Sequence, residues 1–285
     1  MEERKNVRIT EKLLQEYREY LLDEERSTAT VEKYLRDVKK FQIYLEGSGE
    51  IDKNKVREYK QILKEDYKVS SANSMLAAIN SFFVFLGRPE WKVKLFKIQK
   101  FYFSRPELEM TGKDYTRLVQ AAQRDGDEKM SMLLQTIGST GIRISELKFI
   151  TVEAVAAERA EIYNKGKSRM VLLPQELTRI LKKYCKKAGI LSGSIFVTKY
   201  GNPLDRSNIN KKMKQLAQKA GVDAAKVFPH NLRHLFARTF YNIEKDVVRL
   251  MDLLGHSSIN TTRIYTMTTE DQPRRQMSRM KLVLG

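Results

Sequence analysis

Only one of the 285 residues is cysteine, Cys185, so no disulfide can form within the chain. That thiol stands in the basic run KKYCKK with no second cysteine beside it, which argues against a metal or redox role and fits a reducing compartment. No apolar run approaches the roughly 18 residues that a membrane-spanning helix requires. The start, MEERKNVRIT, is charged and lacks the apolar core of a secretory signal, so the sequence reads as that of a cytoplasmic protein. There is no acidic cluster and no Cys/His set of metal-ligand spacing. Internal repeats and low-complexity tracts are missing too. Histidine is scarce, with three residues in all. Acid is short as well: 53 basic against 35 acidic side chains leave a formal net charge of +18.

That excess is not spread evenly. Residues 1–110 carry 22 basic and 19 acidic side chains, whereas residues 111–285 carry 31 and 16. A surface so basic serves a polyanion. An acidic membrane is the rival partner, but no helix pairs a continuous apolar face with a basic one while being free of a core role. Nucleic acid is the better reading. The length suits two domains of ordinary size, and the 41% hydrophobic content indicates a folded, mostly helical chain.

Residues 8–23 and 27–46 read as amphipathic helices; in the second, Val31, Tyr34, Leu35, Val38, Phe41, Tyr44 and Leu45 recur at steps of three and four. Two more helices are expected at about 53–66 and 71–86, completing a compact all-α module. The basic, aromatic segment 91–107 breaks the period and reads as an interdomain linker, with Lys97, Lys100 and Arg105 available to a phosphate backbone. Thr111 and Asp114 form a capping-box pattern ahead of a helix. A second helix, at about 127–139, ends at Gly141. Alternation around an Asn-Lys-Gly-Lys turn in 160–174 predicts a hairpin, and residues 152–155 are expected to add a third strand. A short strand is expected at 194–197, and basic helices at 174–189 and 207–221. A last helix is expected at about 271–283.

All three histidines, His230, His234 and His256, fall within residues 228–266. His230 and Arg233 are one helical turn apart, and Tyr265 follows His256 by nine residues. Donors able to hold an anion thus lie near a hydroxyl able to attack it. Upstream, Arg143 in TGIRISEL has Glu146 as its natural partner at i+3. From that segment alone, a structural ion pair is the plain reading. Lys165 and Lys167 both sit at the hairpin tip, and turn geometry does not separate them.

Taken in order, Arg143 in TGIRISEL, Lys165 in NKGKSR, His230 and Arg233 in HNLRH, His256 in LGH and Tyr265 in TTRIYT resemble the active-site set of the tyrosine recombinases, the phage-integrase family, with Xer-like and small integrase members most similar. The resemblance covers about 111–267 in order and spacing, and extends more loosely to the N-terminal helices. It implies a mainly α protein with a small antiparallel β-sheet, in two domains. The first would be a SAM-like core-binding clamp at 1–104 and the second a catalytic domain at 105–285, together enclosing duplex DNA. It implies cutting and rejoining of DNA strands through a 3′-phosphotyrosyl link and a Holliday junction, with no ATP, metal or other cofactor. A type IB-like topoisomerase, which shares the chemistry, is the alternative.

In that scheme Tyr265 attacks the phosphorus while Arg143 and Arg233 hold the charge on the non-bridging oxygens. His256 adds a donor, and His230 takes the phenol proton. The resemblance also selects Lys165 over Lys167 as the acid for the leaving 5′ oxygen. Glu146 and His234 are expected to support the site from behind, His234 by packing or a hydrogen bond, since it is turned about 100° from Arg233 around the helix. The implied partners are double-stranded recombination sites, accessory DNA-bending or directionality proteins, and further copies of the chain, as dimers and tetramers docked through the C-terminal helix.

Overall fold

The computed structural model describes residues 8–46, 51–98, 108–164, 167–256, 258–262, 265 and 278–279. They fall into two compact units, one within 1–100 and the other within 101–285. No helix among them is long and apolar enough to cross a membrane.

The first unit is built from α1 (Glu11–Asp23), α2 (Thr28–Glu46), α3 (Lys53–Asp66) and α4 (Val69–Phe85). Thr10 caps α1 by accepting from Leu13 N, and Asp52 caps α3 by accepting from Asn54 N and Lys55 N, which satisfies amide protons that have no partner within the helix. The expected stripe of α2 faces inward: Val31, Leu35, Val38, Phe41 and Leu45 are all buried. They pack with Tyr17 of α1 and with Phe82 and Phe83 of α4.

The expected linker starts as part of this unit. After a 3₁₀ turn at Pro89–Trp91, two asparagines one heptad apart on α4 treat residues 93 and 96 as a strand would. Asn80 gives Nδ2 to Val93 O at 2.9 Å and takes Val93 N at 3.0 Å. Asn73 does the same for Phe96, at 2.9 and 2.7 Å. Lys100 and Arg105 lie outside the described residues.

The second unit holds α5 (Gly112–Arg124), α6 (Glu128–Thr140), α7 (Val152–Ala156), β1 (Arg159–Asn164), β2 (Lys167–Leu172), α8 (Gln175–Ala188), α9 (Arg206–Ala220), α10 (Pro229–Glu244), α11 (Val247–Leu254) and α12 (Ile259–Thr262). The Thr111–Asp114 capping box is formed in full. Strands β1 and β2 pair antiparallel, from Arg159 opposite Leu172 to Asn164 opposite Lys167.

A three-stranded sheet does not form among the described residues. Residues 152–156 are helical because the Thr151 hydroxyl accepts from Ala154 N and starts a turn, so an N-cap outweighs the β-branched composition. The strand expected at 194–197 reduces to isolated bridges, Thr151 with Ser194 and Val197 with Pro203. Of the expected terminal helix, only residues 278 and 279 are described, and both are helical.

Candidate active site

The site is assembled around one buried arginine. Helix α10 starts with Pro229 at its first turn, where the missing N–H costs nothing, and one turn later carries Arg233, only 1% exposed. Its Nη1 donates to Gly141 O at 2.6 Å, and its Nη2 to Leu254 O at 2.7 Å. Gly141 caps the end of α6, and Leu254 ends α11. The guanidinium therefore lies where two helices present unsatisfied carbonyls and the negative ends of their dipoles, which offsets the cost of burying a cation. Burial, with Arg143 nearby, still lowers its pKa to about 10, against the opposing influence of Tyr265 and Glu146. Gly141 is required there: its φ is +65°, and a Cβ would lie 2.4 Å from the Phe236 ring.

Gly141 turns the chain into Arg143, which precedes the 3₁₀ turn Ile144–Phe149 rather than an α-helix. Glu146, buried on that turn, accepts from Arg143 N at 2.7 Å and from Arg143 Nη1 at 3.0 Å, so the expected pair is present. It is not exclusive, however. Arg169 of β2 forks onto the same carboxylate, Nη1 to Oε1 at 2.9 Å and Nη2 to Oε2 at 2.8 Å. Burial pushes the Glu146 carboxyl up, but the hydrogen bonds from Arg169 and Arg143 bring it down to about 2.

Arg169 is not among the residues the sequence points to, yet the sequence carries a signal for it. It shares its face of β2 with the buried Val171, while Ser168, Met170 and Leu172 point to solvent. An arginine in register with an apolar strand face calls for a buried carboxylate.

His256 follows Gly255, whose φ of +63° ends α11. Its Nε2 lies 2.9 Å from Arg233 Nη2 and its Nδ1 lies 2.8 Å from Thr262 Oγ1. A guanidinium has no lone pair to offer, so Nε2 accepts, and the proton of the neutral ring sits on Nδ1 and is donated to Thr262. Tyr265, 3% exposed, stacks on His256 with centroids 5.9 Å apart, and meets the edge of His234 at 4.7 Å.

His234, expected to pack or hydrogen-bond behind the site, packs against two of the candidate site rings. Four residues after His230, it lies over that ring, with centroids 4.5 Å apart, and reaches the nucleophile candidate. Burial, His230 and Arg233 lower His234 to about 4, and burial, Arg233, Arg143, Arg169 and His230 lower His256 to about 4. The pKa of His230 is lowered by burial and by Arg233, Arg143 and Arg206.

These shifts set a pH dependence of stability. Between about 4 and the ordinary 6.5, the unfolded chain binds more protons than the folded one. Stability is therefore full above 6.5 and falls as pH drops towards 4. Glu146 acts in a lower window, from its ordinary 4.5 towards 2. The melting temperature should fall between about pH 7 and pH 5, and His256→Gln should flatten part of that fall. A wild-type melting temperature that does not change over this range contradicts the assignment.

Beside Arg233 opens a cavity of about 760 Å³, lined by Arg143, Lys148, Arg206, Lys214, His230 and Arg233 among others, with no carboxylate among the described residues of its wall. Lys165, placed by sequence at the hairpin tip, lies outside the described residues. No group of three or more His, Cys, Asp or Glu that could hold a metal occurs among the described residues.

A helical fold with this constellation defines a class of DNA strand-transfer proteins, and sequence comparison agrees. Residues 109–272 match the model of the phage integrase family, and residues 14–90 that of the phage integrase N-terminal SAM-like domain. The chain belongs to the phage integrase family. It is 28% identical to tyrosine recombinase XerA of Pyrococcus horikoshii, covering 99% of this chain and 98% of that one. It is 29% identical to tyrosine recombinase XerC of Lacticaseibacillus casei, covering 89% and 93%. Its fold is similar to that of XerH site-specific recombinase bound to difH substrate, with a TM-score of 0.71 and 18% identity over 95% of this chain and 84% of the other. It is also similar to a lambda integrase tetramer bound to a Holliday junction, with a TM-score of 0.72 and 16% identity over 94% and 80%.

Proposed function

We propose that the chain is a site-specific DNA recombinase whose nucleophile is Tyr265. The observation that carries this reading is the contact of half-buried His256 with buried Arg233 and buried Tyr265, where Arg233 also lines a cavity with Arg143 and Arg206 that has no carboxylate among its described wall residues. In the cleavage step the Tyr265 oxygen bonds to phosphorus and the bond from phosphorus to the 5′ oxygen breaks. The phenol proton goes to His230, and the 5′ oxygen takes a proton from Lys165. Arg143 and Arg233 hold the charge on the non-bridging oxygens. His256 becomes a donor only if Arg233 releases its Nε2. Bond energy stays in the phosphotyrosyl link, so rejoining is the reverse step.

The test is covalent capture. The wild-type protein, mixed with a nicked duplex pool of randomised sequence, should yield a denaturation-resistant adduct whose peptide maps to Tyr265. Lys165→Ala should lose that adduct and regain it when the leaving 5′ oxygen is sulfur, which needs no proton. An adduct on another residue, or a Lys165→Ala protein indifferent to the sulfur, refutes the assignment concerned.

Self-association through the segment after Tyr265 is part of the same proposal. Met277, Met280, Leu282 and Val283 there offer a modest apolar contact, suited to weak association in solution and to strong association once DNA sets the local concentration. Truncation after Met267 should spare binding to one site and abolish recombination between two. Normal recombination by the truncated protein would make the segment a cap of its own domain.

A further inference from the structure

The carboxylate of Glu146 is 1% exposed and has two arginines to choose from. Arg169 takes both oxygens, in the parallel fork that makes the strongest guanidinium–carboxylate pair. Arg143 gives it one side-chain N–H, at 3.0 Å, and keeps the rest of its guanidinium for the cavity, where its side chain is 36% exposed. Arg169 itself does not line that cavity, and its side chain is 15% exposed. Its stem lies flat on the turn that delivers His256: a Cβ at Gly255 would come within 2.4 Å of Arg169 Cδ and 2.8 Å of Arg169 Nε. One strand residue therefore touches both the partner of Arg143 and the backbone before His256.

We propose that Arg169 is a positioning residue for strand cleavage, holding the Glu146 carboxylate in a bidentate pair so that Arg143 stays free for the scissile phosphate, and bracing the Gly255 turn that presents His256. This rests on the proposed assignment of Arg143 and His256 to the phosphate. The physical reason is competition. A buried carboxylate deprived of its fork draws in the nearest cation, and that cation is Arg143. A guanidinium pulled into two parallel bonds with Glu146 turns its plane away from the DNA.

The test compares variants on nicked duplex selected from a randomised pool by covalent capture on the wild-type protein, with folding checked by circular dichroism. Arg169→Met should slow adduct formation by about 100-fold, the scale of losing one preorganised donor, while duplex affinity stays within about threefold, because Arg169 does not reach the cavity. Adding Glu146→Gln should restore much of the rate, since a neutral amide has no charge with which to capture Arg143. A residue that only supports the fold predicts the opposite, with the second substitution adding to the damage. Arg169→Lys keeps the charge without the fork and should fall between. If Arg169→Met does not fold, the double variant and Arg169→Lys decide, because neither leaves a bare buried charge.

Arg143→Ala separates the two claims. If it cuts normally, the reading of the site fails. If it is inactive while Arg169→Met cuts within about threefold of wild type, or while the double variant is no faster than Arg169→Met, positioning by Arg169 is overturned.

Discussion

Tyr265→Phe will bind duplex DNA as tightly as the wild-type protein and form no covalent adduct with it. The substitution removes one oxygen and leaves the ring where packing holds it, stacked on His256 and edge-on to His234, among Ala237, Leu250 and Leu254. Folding should survive, since a volume-conserving aromatic change in a packed site costs less than about 1.5 kcal/mol. The basic side chains of the cavity wall, to which the proposed function assigns DNA affinity, all remain, and Arg233 loses only its hydrogen bond with the Tyr265 oxygen. What disappears is the only atom that can form the phosphotyrosyl bond, so the loss of adduct should be complete rather than partial. A Phe variant giving adduct at wild-type yield would show that another side chain attacks. A Phe variant that fails to bind would show instead that the hydroxyl holds DNA or the fold.

Much of this arrangement was legible in the sequence because helical periodicity and capping are local. The stripe from Val31 to Leu45 and the Thr111–Asp114 box need no partner elsewhere to be recognised, and both are formed. The candidate site residues stand out in the sequence as an ordered set of residue types, each weak alone. The rest was hidden wherever a side chain's role depends on distant backbone. Nothing local in FPHNLRH says that Arg233 is held by the carbonyls at the ends of α6 and α11. Nothing local says that Asn73 and Asn80 stand in for a neighbouring strand along residues 93–96. The error at 152–156 has a different origin. There residues 152–155, next to the hairpin, suggest a third strand, and a threonine one residue upstream decides for a helix. The angle of His234 from Arg233 gives only the side of the helix it occupies; that it packs on both His230 and Tyr265 depends on distant chain.

Arg233 should prove as costly to stability as to chemistry. In the folded chain three of its N–H groups are committed, to Gly141 O, to Leu254 O and to His256 Nε2. Methionine at this position fills much of the volume of the stem but donates nothing. Two carbonyls and a ring nitrogen are then left buried without partners, at roughly 1–3 kcal/mol each. Part of this is offset because the buried charge disappears as well, so a net loss of about 2–4 kcal/mol in a denaturant titration is the expected outcome for Arg233→Met. Lysine tests whether charge alone suffices. Its ammonium keeps the cation at the two helix ends but lacks the planar fork that reaches a carbonyl on each side and the imidazole between them. Arg233→Lys should therefore recover part of the stability and little of the chemistry, with adduct formation still reduced by roughly 10²–10³ on the covalent capture assay. The split between the two readouts is the informative result. If Arg233→Lys cuts at the wild-type rate, the phosphate needs only a positive charge there and the fork is a structural device. If Arg233→Met is as stable as the wild type, the carbonyls at the ends of α6 and α11 are satisfied without it, and the helix ends do not hold the site together.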